Sequence, residues 1–323
     1  MPRQRIGVVG SGFIAREHVR AWSVLGAAIG IHSEAAGSRD ALCQRFGATA
    51  YGTLDDLLAA ATVIDVCTPT DVHHGVVLRA AEAGRHVICE KPLARHAGQA
   101  RQMAAACASA GVRLLPAHVV RYFPEYAAAR AAVAGGRIGT PAILRFTRRG
   151  SVPAWSGWYG DEQRSGGLLM DFMIHDYDIA RWLAGEVRRV YARLVATGAA
   201  GAATGLAVLT HAGGAISHVH GAWVPEMGFL ATGFELSGDR GVLCSPAGGA
   251  LTAGPGGPAG RGQFATGQAS PFTAELAEFL AAIEHGSEPR VGAADGVAAV
   301  AIAEAAIESA RTGAAVCLDG ATR

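Results

Sequence analysis

Along the first 120 residues, short apolar runs of strand length alternate with stretches in which apolar residues recur at helical spacing. The strand-like runs are Arg5–Val9, Ala27–His32, Val63–Cys67, His86–Cys89 and Val112–Pro116. The helical stretches between them are Ile14–Leu25, Ala36–Phe46, Leu54–Ala61, Val72–Ala83 and Ala97–Ala110. Thr53, three residues before Asp56, has the form of an N-terminal capping box. Gly26, Gly47, Gly84 and Gly111 each follow a helical stretch, where a left-handed C-terminal cap is wanted. Regular alternation of this kind predicts a parallel, doubly wound sheet.

The pattern changes after Arg121-Tyr122-Phe123-Pro124. One helix, Glu125–Val133, closes at Gly135-Gly136, and longer alternating runs follow: Ala142–Arg148, Val187–Val195, Leu206–His211, Ala215–Trp223 and Phe229–Leu236. These predict a large, mainly antiparallel open sheet, interrupted by a helix near 168–183. Residues 246–262 are nearly all Gly, Ala and Pro and read as a long loop. Two helices, Phe272–His285 and Ala293–Arg311, end the chain. A length of 323 residues suits two domains. The boundary is expected near residue 120, giving domains 1–120 and 121–323, with a C-terminal helix able to pack back on the first.

Composition narrows the function classes. The formal net charge is +1 and no basic stripe appears, so a small-molecule partner is expected rather than a nucleic acid. The six cysteines are scattered without metal-finger spacing and read as reduced, mostly buried thiols, so no metal is expected. The chain runs from Met1-Pro2-Arg3 into a strand without a leader pattern, and no apolar run reaches membrane-spanning length. The expected compartment is cytoplasmic, with no membrane partner.

Gly10-Ser11-Gly12-Phe13-Ile14-Ala15 carries the first chemistry. The first glycine permits a tight strand-to-helix turn, the second lets backbone approach a pyrophosphate, and the third small residue lets helix and strand pack closely. The helix N-terminus offers free N–H groups and partial positive charge to phosphates. Residues 1–120 therefore read as a Rossmann-type dinucleotide-binding domain. At the end of the second strand, where a carboxylate would hold the adenosine ribose diol, the chain has His32-Ser33-Glu34. A hydroxyl at Ser33 tolerates a 2′-phosphate, Glu34 is one step off, and Arg39 is within reach of a phosphate. The expected cofactor is NAD(P), with the balance toward NADP.

Cys89-Glu90-Lys91-Pro92 closes a predicted strand at its carboxyl end, where doubly wound sheets bind ligands. After Gly166-Gly167, Asp171, His175 and Asp178 are spaced by four and three, which on an α-helix places them on one face. With Thr68-Pro69-Thr70 and His73, Phe234-Glu235-Leu236-Ser237-Gly238, Pro271-Phe272 with Glu275 and Phe279, and Ser309-Ala310-Arg311-Thr312-Gly313, the chain resembles the Gfo/Idh/MocA family of NAD(P)-dependent oxidoreductases over its whole length. The resemblance implies a two-domain enzyme that moves a hydride between nicotinamide and a CH–OH or ketone carbon of a sugar, cyclitol or related polyol.

By the same resemblance, catalysis falls on Lys91, Asp171 and His175. Cofactor contacts fall on Gly10, Gly12, Phe13, Ile14, Ser33, Thr68, Pro69, His73, Glu90, Lys91 and Arg121. A common family pattern places Asn before that Arg, whereas here the run is His118-Val119-Val120-Arg121, which weakens any carry-over to His118. The residue types suit the reaction. An imidazole accepts the alcohol proton at neutral pH, an ammonium stabilises the developing alkoxide, and a carboxylate orients substrate or tunes the imidazole.

Other readings stand beside this one. A glycoside hydrolase working through transient NAD-dependent oxidation would use the same fold, and a non-enzymatic sensor of dinucleotide or sugar would use it without acid–base groups. Trp155, Trp158 and Tyr159 suit either a sugar ring or ordinary packing. His18 reads as a packing histidine, and His218 with His220 lacks a third metal ligand nearby. Alternation in Ile216-Ser217-His218-Val219-His220 suggests an open sheet face, hence a homodimer or homotetramer.

Overall fold

The computed structural model describes residues 4–151, 157–196, 201–225, 230–245 and 270–318. The predicted loop at 246–262 and Trp155 lie outside the described residues. The chain packs as two compact units: Met1–Tyr122 with Ala269–Val297, and Phe123–Gln268 with Ala298–Arg323.

In the first unit the elements run β1 (Arg5–Val9), α1 (Phe13–Val24), β2 (Ala28–His32), α2 (Ala36–Phe46), β3 (Thr49–Tyr51), α3 (Leu54–Ala60), β4 (Val63–Val66), α4 (Thr70–Glu82), β5 (His86–Glu90), α5 (Ala97–Ser109) and β6 (Leu114–Ala117). Its six strands are all parallel, in the order β3-β2-β1-β4-β5-β6. Strand β3 is an edge strand that the sequence pattern did not suggest; at three residues it is too short to show a period. The central strands are buried along their length because helices cover both faces of a parallel sheet. The cap at Thr53 is present: its hydroxyl accepts the Asp56 N–H at 3.1 Å.

The second unit runs α6 (Pro124–Ala134), β7 (Pro141–Gly150), α7 (Glu162–Ser165), a π-helical turn (Leu168–Phe172), α8 (Ile174–Ala184), β8 (Val187–Ala196), β9 (Ala203–His211), β10 (Ile216–Trp223), β11 (Ala231–Gly238) and β12 (Val242–Cys244). Then α9 (Pro271–His285) belongs to the first unit, α10 (Ala293–Thr312) begins there, and β13 (Val316–Cys317) returns to the second sheet. That sheet has the order β12-β11-β7-β10-β9-β8-β13. It is antiparallel except for one pair: β10 lies parallel to β7, since α8, β8 and β9 intervene before the chain comes back beside β7. The sheet is thus mainly antiparallel, as the sequence pattern predicted, with β7 and β10 the parallel pair.

One face of the second sheet packs on the π-helical turn and α8. Leu144, Phe146, Val190, Ala192, Ala207, Leu209 and Val219 point into this layer. Gly221 is required there, because a Cβ would stand 2.4 Å from Met173 Cγ. The opposite face exposes Ile143, Tyr191, Val195, Leu206 and Ile216 among Arg145, Arg193 and His218. The inner polar residue Ser217 is satisfied by His211, whose Nε2 lies 2.8 Å from its hydroxyl. Among the described residues no helix is long and apolar enough to cross a membrane.

Candidate active site

The glycine turn has the geometry a pyrophosphate needs. Gly10 has φ +117°, and a Cβ there would fall 2.5 Å from the Cys67 carbonyl oxygen, so no other residue fits. Its N–H donates to the His32 carbonyl at 2.8 Å, tying the turn to the end of β2. At Gly12, the N-cap of α1, a Cβ would meet nothing within 4 Å, so the space above the helix N-terminus is open. The first turn of α1 carries no acidic residue, leaving its partial positive charge uncompensated. Ala15 is buried beneath, while Phe13 is 52% exposed and Ile14 half-buried beside the turn. These features fit a dinucleotide pyrophosphate at Gly10–Ile14.

Beyond β2, three hydroxyls meet. Ser11 Oγ lies 2.8 Å from Ser33 Oγ and 2.5 Å from Ser38 Oγ. Glu34 is fully exposed. The Arg39 guanidinium is held by Asp40 at 2.8 Å and the Tyr51 carbonyl at 3.2 Å. The sequence pointed to Ser33 and Arg39 at this position; Ser11 and Ser38 enter only through the fold.

The loops after β4 and β5 are joined by His73. Its Nε2 lies 2.9 Å from the Thr68 carbonyl and its Nδ1 2.9 Å from the Pro92 carbonyl. Burial, the largest influence, pulls its pKa below the ordinary histidine value, against the two carbonyls. Buried in this way, His73 ties together the backbone of Thr68-Pro69 and Lys91-Pro92, two stretches the sequence marked as cofactor-contacting. The Lys91–Pro92 peptide is cis. The Lys91 N–H donates to Glu90 Oε2 at 2.9 Å, and the Lys91 side chain is half-buried.

Behind Glu90 lies a polar cluster that the sequence reading missed. His18 on α1 is wholly buried, with Nδ1 3.0 Å from Asp65 and Nε2 3.2 Å from Glu90 Oε1. Asp65 also accepts the Trp22 indole N–H at 2.7 Å and the Cys67 thiol at 3.5 Å. Phe272 of α9 stacks at a tilt on His18, with ring centroids 5.8 Å apart. His18 is thus more than a packing histidine. The available signal was Asp65 itself, a carboxylate inside the buried run Val63-Ile64-Asp65-Val66.

His118 and Arg121 are buried. Arg121 donates to the Arg290 carbonyl at 2.7 Å and pairs with Asp295 at 3.3 Å. In return Arg290 donates to the Arg121 carbonyl and lies over the Tyr122 ring. This reciprocal pair ties the end of the dinucleotide-binding segment to residues 290–295.

In the second unit, Asp171 is on the π-helical turn, whereas His175 and Asp178 are on α8. The four-residue step from Asp171 to His175 therefore crosses the junction of two helix types and is not one α-helical turn. Single π turns recur at functional sites because they re-aim side chains within a helix. Asp171 and Asp178 are buried and His175 is half-buried. Asp176 forms a buried two-pronged pair with Arg148, at 2.8 and 3.0 Å, which anchors α8 to β7. Trp158 stacks on Tyr159 with centroids 4.0 Å apart.

Three family models match the chain. Residues 4–118 match an oxidoreductase family NAD-binding Rossmann fold, residues 126–244 a GFO/IDH/MocA C-terminal domain, and residues 260–318 an oxidoreductase family C-terminal alpha/beta domain. Inositol 2-dehydrogenase of Rhizobium meliloti (strain 1021) is 30% identical over 322 residues, covering 94% of this chain and 96% of the relative. The 1,5-anhydro-D-fructose reductase of Ensifer adhaerens is 30% identical over 333 residues, covering 96% and 97%. Among solved structures, GenD2 from gentamicin A biosynthesis in complex with NAD is similar at a TM-score of 0.89 and 27% identity, covering 99% of this chain and 97% of that one.

Proposed function

The chain belongs to the Gfo/Idh/MocA family of NAD-binding oxidoreductases of sugars and cyclitols, and from that premise we propose that Lys91, Asp171 and His175 carry its hydride transfer. Asp171 and His175 follow from the family motif, and the observation that supports Lys91 is the sheet topology of the first unit. The Gly10 turn, Ser33, Thr68 and Lys91 follow β1, β2, β4 and β5, so parallel strands deliver all four to the carboxyl edge of one sheet.

A bound dinucleotide, held by Gly10, Gly12, Phe13, Ile14 and the loops joined by His73, supplies the hydride acceptor. His175 takes the hydroxyl proton as the C–H bond breaks, and the Lys91 ammonium stabilises charge on the same oxygen as the carbonyl forms. Asp171 orients the substrate or the imidazole. Arg121, committed to Asp295 and the Arg290 carbonyl, acts by holding its segment in place. The cluster of Ser11, Ser33 and Ser38 hydroxyls, lacking a carboxylate, supports binding of NADP at least as well as NAD. The open sheet face, with its apolar patch, supports pairing with a second copy of the chain.

The test is a panel of inositols, aldoses and anhydrosugars with NAD⁺ and NADP⁺, read at the reduced-nicotinamide absorbance. Stoichiometric reduced cofactor is expected; product without it would mark a hydrolase. On the fastest substrate, Lys91→Ala should lose at least about 100-fold in turnover, roughly 2.7 kcal/mol. His175→Ala should lose about 10²–10⁴-fold, with the double variant well short of the product of the two losses. NADH affinity, followed by fluorescence, should change little in His175→Ala and modestly in Lys91→Ala, since Lys91 is also a cofactor contact. More than a third of activity left in either single variant would remove that residue from the assignment.

A further inference from the structure

Four elements of the first unit converge behind the Lys91 turn. His18 comes from α1, Asp65 from β4, Glu90 from the end of β5 and Glu275 from α9. The side chains of His18, Asp65 and Glu275 are wholly buried, and Glu90 is about 5% exposed. The two ring nitrogens of His18 face two different carboxylates, at 3.0 Å and 3.2 Å. Nδ1 is hydrogen-bonded to Asp65, while Nε2 approaches Glu90 as an ion pair without hydrogen-bond alignment. Two flanking carboxylates, which accept and do not donate, favour the ring with both nitrogens protonated. Buried charges of this kind persist where they are paired.

We propose that His18 is the positioning residue of the Lys91 turn: a buried imidazolium that spans Asp65 and Glu90 and holds the carboxylate from which the Lys91 backbone hangs. The path is short. His18 Nε2 stands at ion-pair distance from Glu90 Oε1, 3.2 Å, without hydrogen-bond alignment, and the other oxygen of the same carboxylate accepts the Lys91 N–H at 2.9 Å. His18 lies on α1, whose first turn is the phosphate cradle. One side chain therefore registers the cofactor-binding helix against the strand end that presents Lys91. Asp65 is the anchor behind it, locked by Trp22 at 2.7 Å.

The electrostatics agree with this geometry. Burial by itself would lower the His18 pKa, but the opposing effects, led by the Asp65 charge, leave it well above the ordinary value. For Glu275, burial first and then the Glu90 and Asp65 charges, against His18, push the carboxyl well above the usual range. Cys67, held as a thiol by burial and by Asp65, completes the shell as a donor. His18, Asp65 and Cys67 offer atoms within 4.8 Å of one another. Their separations are those of hydrogen bonds, with Trp22 sharing Asp65 Oδ2 with His18 and Cys67 on Oδ1, so the cluster reads as a proton-filled site.

This inference rests on the assignment of Lys91, and the two fail separately. Long-range ¹⁵N–¹H correlation on the full chain should show both His18 ring nitrogens protonated at pH 8, assigned by loss of the signal in His18→Gln. Neutral-tautomer shifts at pH 8, or an equivalent of chelatable transition metal bound to the purified protein, would overturn the proposal whatever Lys91 does. In kinetics, His18→Gln should lower kcat about tenfold or more while NADH affinity moves less than about threefold. His18→Gln/Glu90→Gln should be no slower than the slower single variant, because both act along one path. Independent, multiplying losses would overturn it. Full activity in Lys91→Ala would instead overturn the assignment of Lys91 and leave the ¹⁵N result standing.

Discussion

The His73 ring joins two loops whose backbones, at Thr68 and Pro92, are 24 residues apart in the chain: its Nδ1 stands 2.9 Å from the Pro92 carbonyl while its Nε2 stands 2.9 Å from the Thr68 carbonyl. A neutral imidazole can donate to only one of two acceptors, and burial favours the neutral form here. Its tautomer therefore selects which loop is held more tightly. His73→Ala should loosen both. A fall in kcat of about tenfold and a weaker NADH affinity are expected, measured by initial rates and fluorescence titration. His73→Asn, which keeps one donor, should recover part of each.

The same burial sets a pH dependence. His73 and His211 have pKa values lowered mainly by burial, so the native state resists their protonation. For a lowered histidine, the unfolded chain binds the extra proton as pH falls below about 6.5. Stability is then fully present above that pH and lost below it. Tm should fall between pH 7 and pH 5, and His73→Asn should flatten that limb. A Tm independent of pH in this window would contradict the burial argument.

Glu275 has the opposite slope. Its folded pKa is raised above the ordinary carboxyl value, chiefly by burial, so the unfolded chain gives up its proton first as pH rises. Stability from this group is present below about pH 4.5 and lost as pH rises toward the folded pKa. Glu275→Gln, neutral and of equal size, should raise Tm by a few degrees at pH 8 and by less at pH 5. Thermal unfolding at both values reads the difference.

Ser33→Asp tests cofactor choice. A carboxylate there would repel a 2′-phosphate and accept a ribose diol, shifting the NADP/NAD ratio of kcat/KM toward NAD by about tenfold or more. Ser11→Ala and Ser38→Ala should each weaken NADP more than NAD, since both hydroxyls meet Ser33. Strong NAD preference in the unaltered chain would show that the hydroxyl cluster does not read the phosphate.

The open face of the second sheet predicts self-association. Leu206 is exposed on β9 opposite His220 of β10 and Arg193 of β8, in line with other apolar side chains of that face. Sedimentation at micromolar concentration should give a dimer or larger. Leu206→Glu, which adds charge to the patch without touching the buried face, should shift the chain toward monomer.

Much of the molecule was legible from local pattern. Helix α2 begins and ends where the period and Gly47 predicted, and the remaining long elements of the first unit fall within two residues of their expected bounds. The glycine turn, the Glu90-Lys91-Pro92 strand end and the Asp171–Asp178 segment were all visible as motifs. Periodicity, caps and turn residues are properties of near neighbours, so one chain read in order carries them. Strand β3, β12 and β13 escaped because two or three residues hold no period, and the π turn because a helical period does not reveal one inserted residue.

What tertiary structure alone decided are the meetings of distant residues. Residues 18, 65, 90 and 275 carry no shared spacing, yet four elements bring them together. Ser11 and Ser38 join Ser33 only once α1 and α2 start at the same sheet edge, and β10 lies parallel to β7 only once two strands have been laid beyond it. A sequence specifies which residues are apolar, charged or flexible, and therefore the elements. Which of them then share a buried space is set by sheet order and helix packing. There, removal from water drives polar groups to find partners, and in this chain hydrogen-bond partners such as Arg121 and Arg290 lie 169 residues apart.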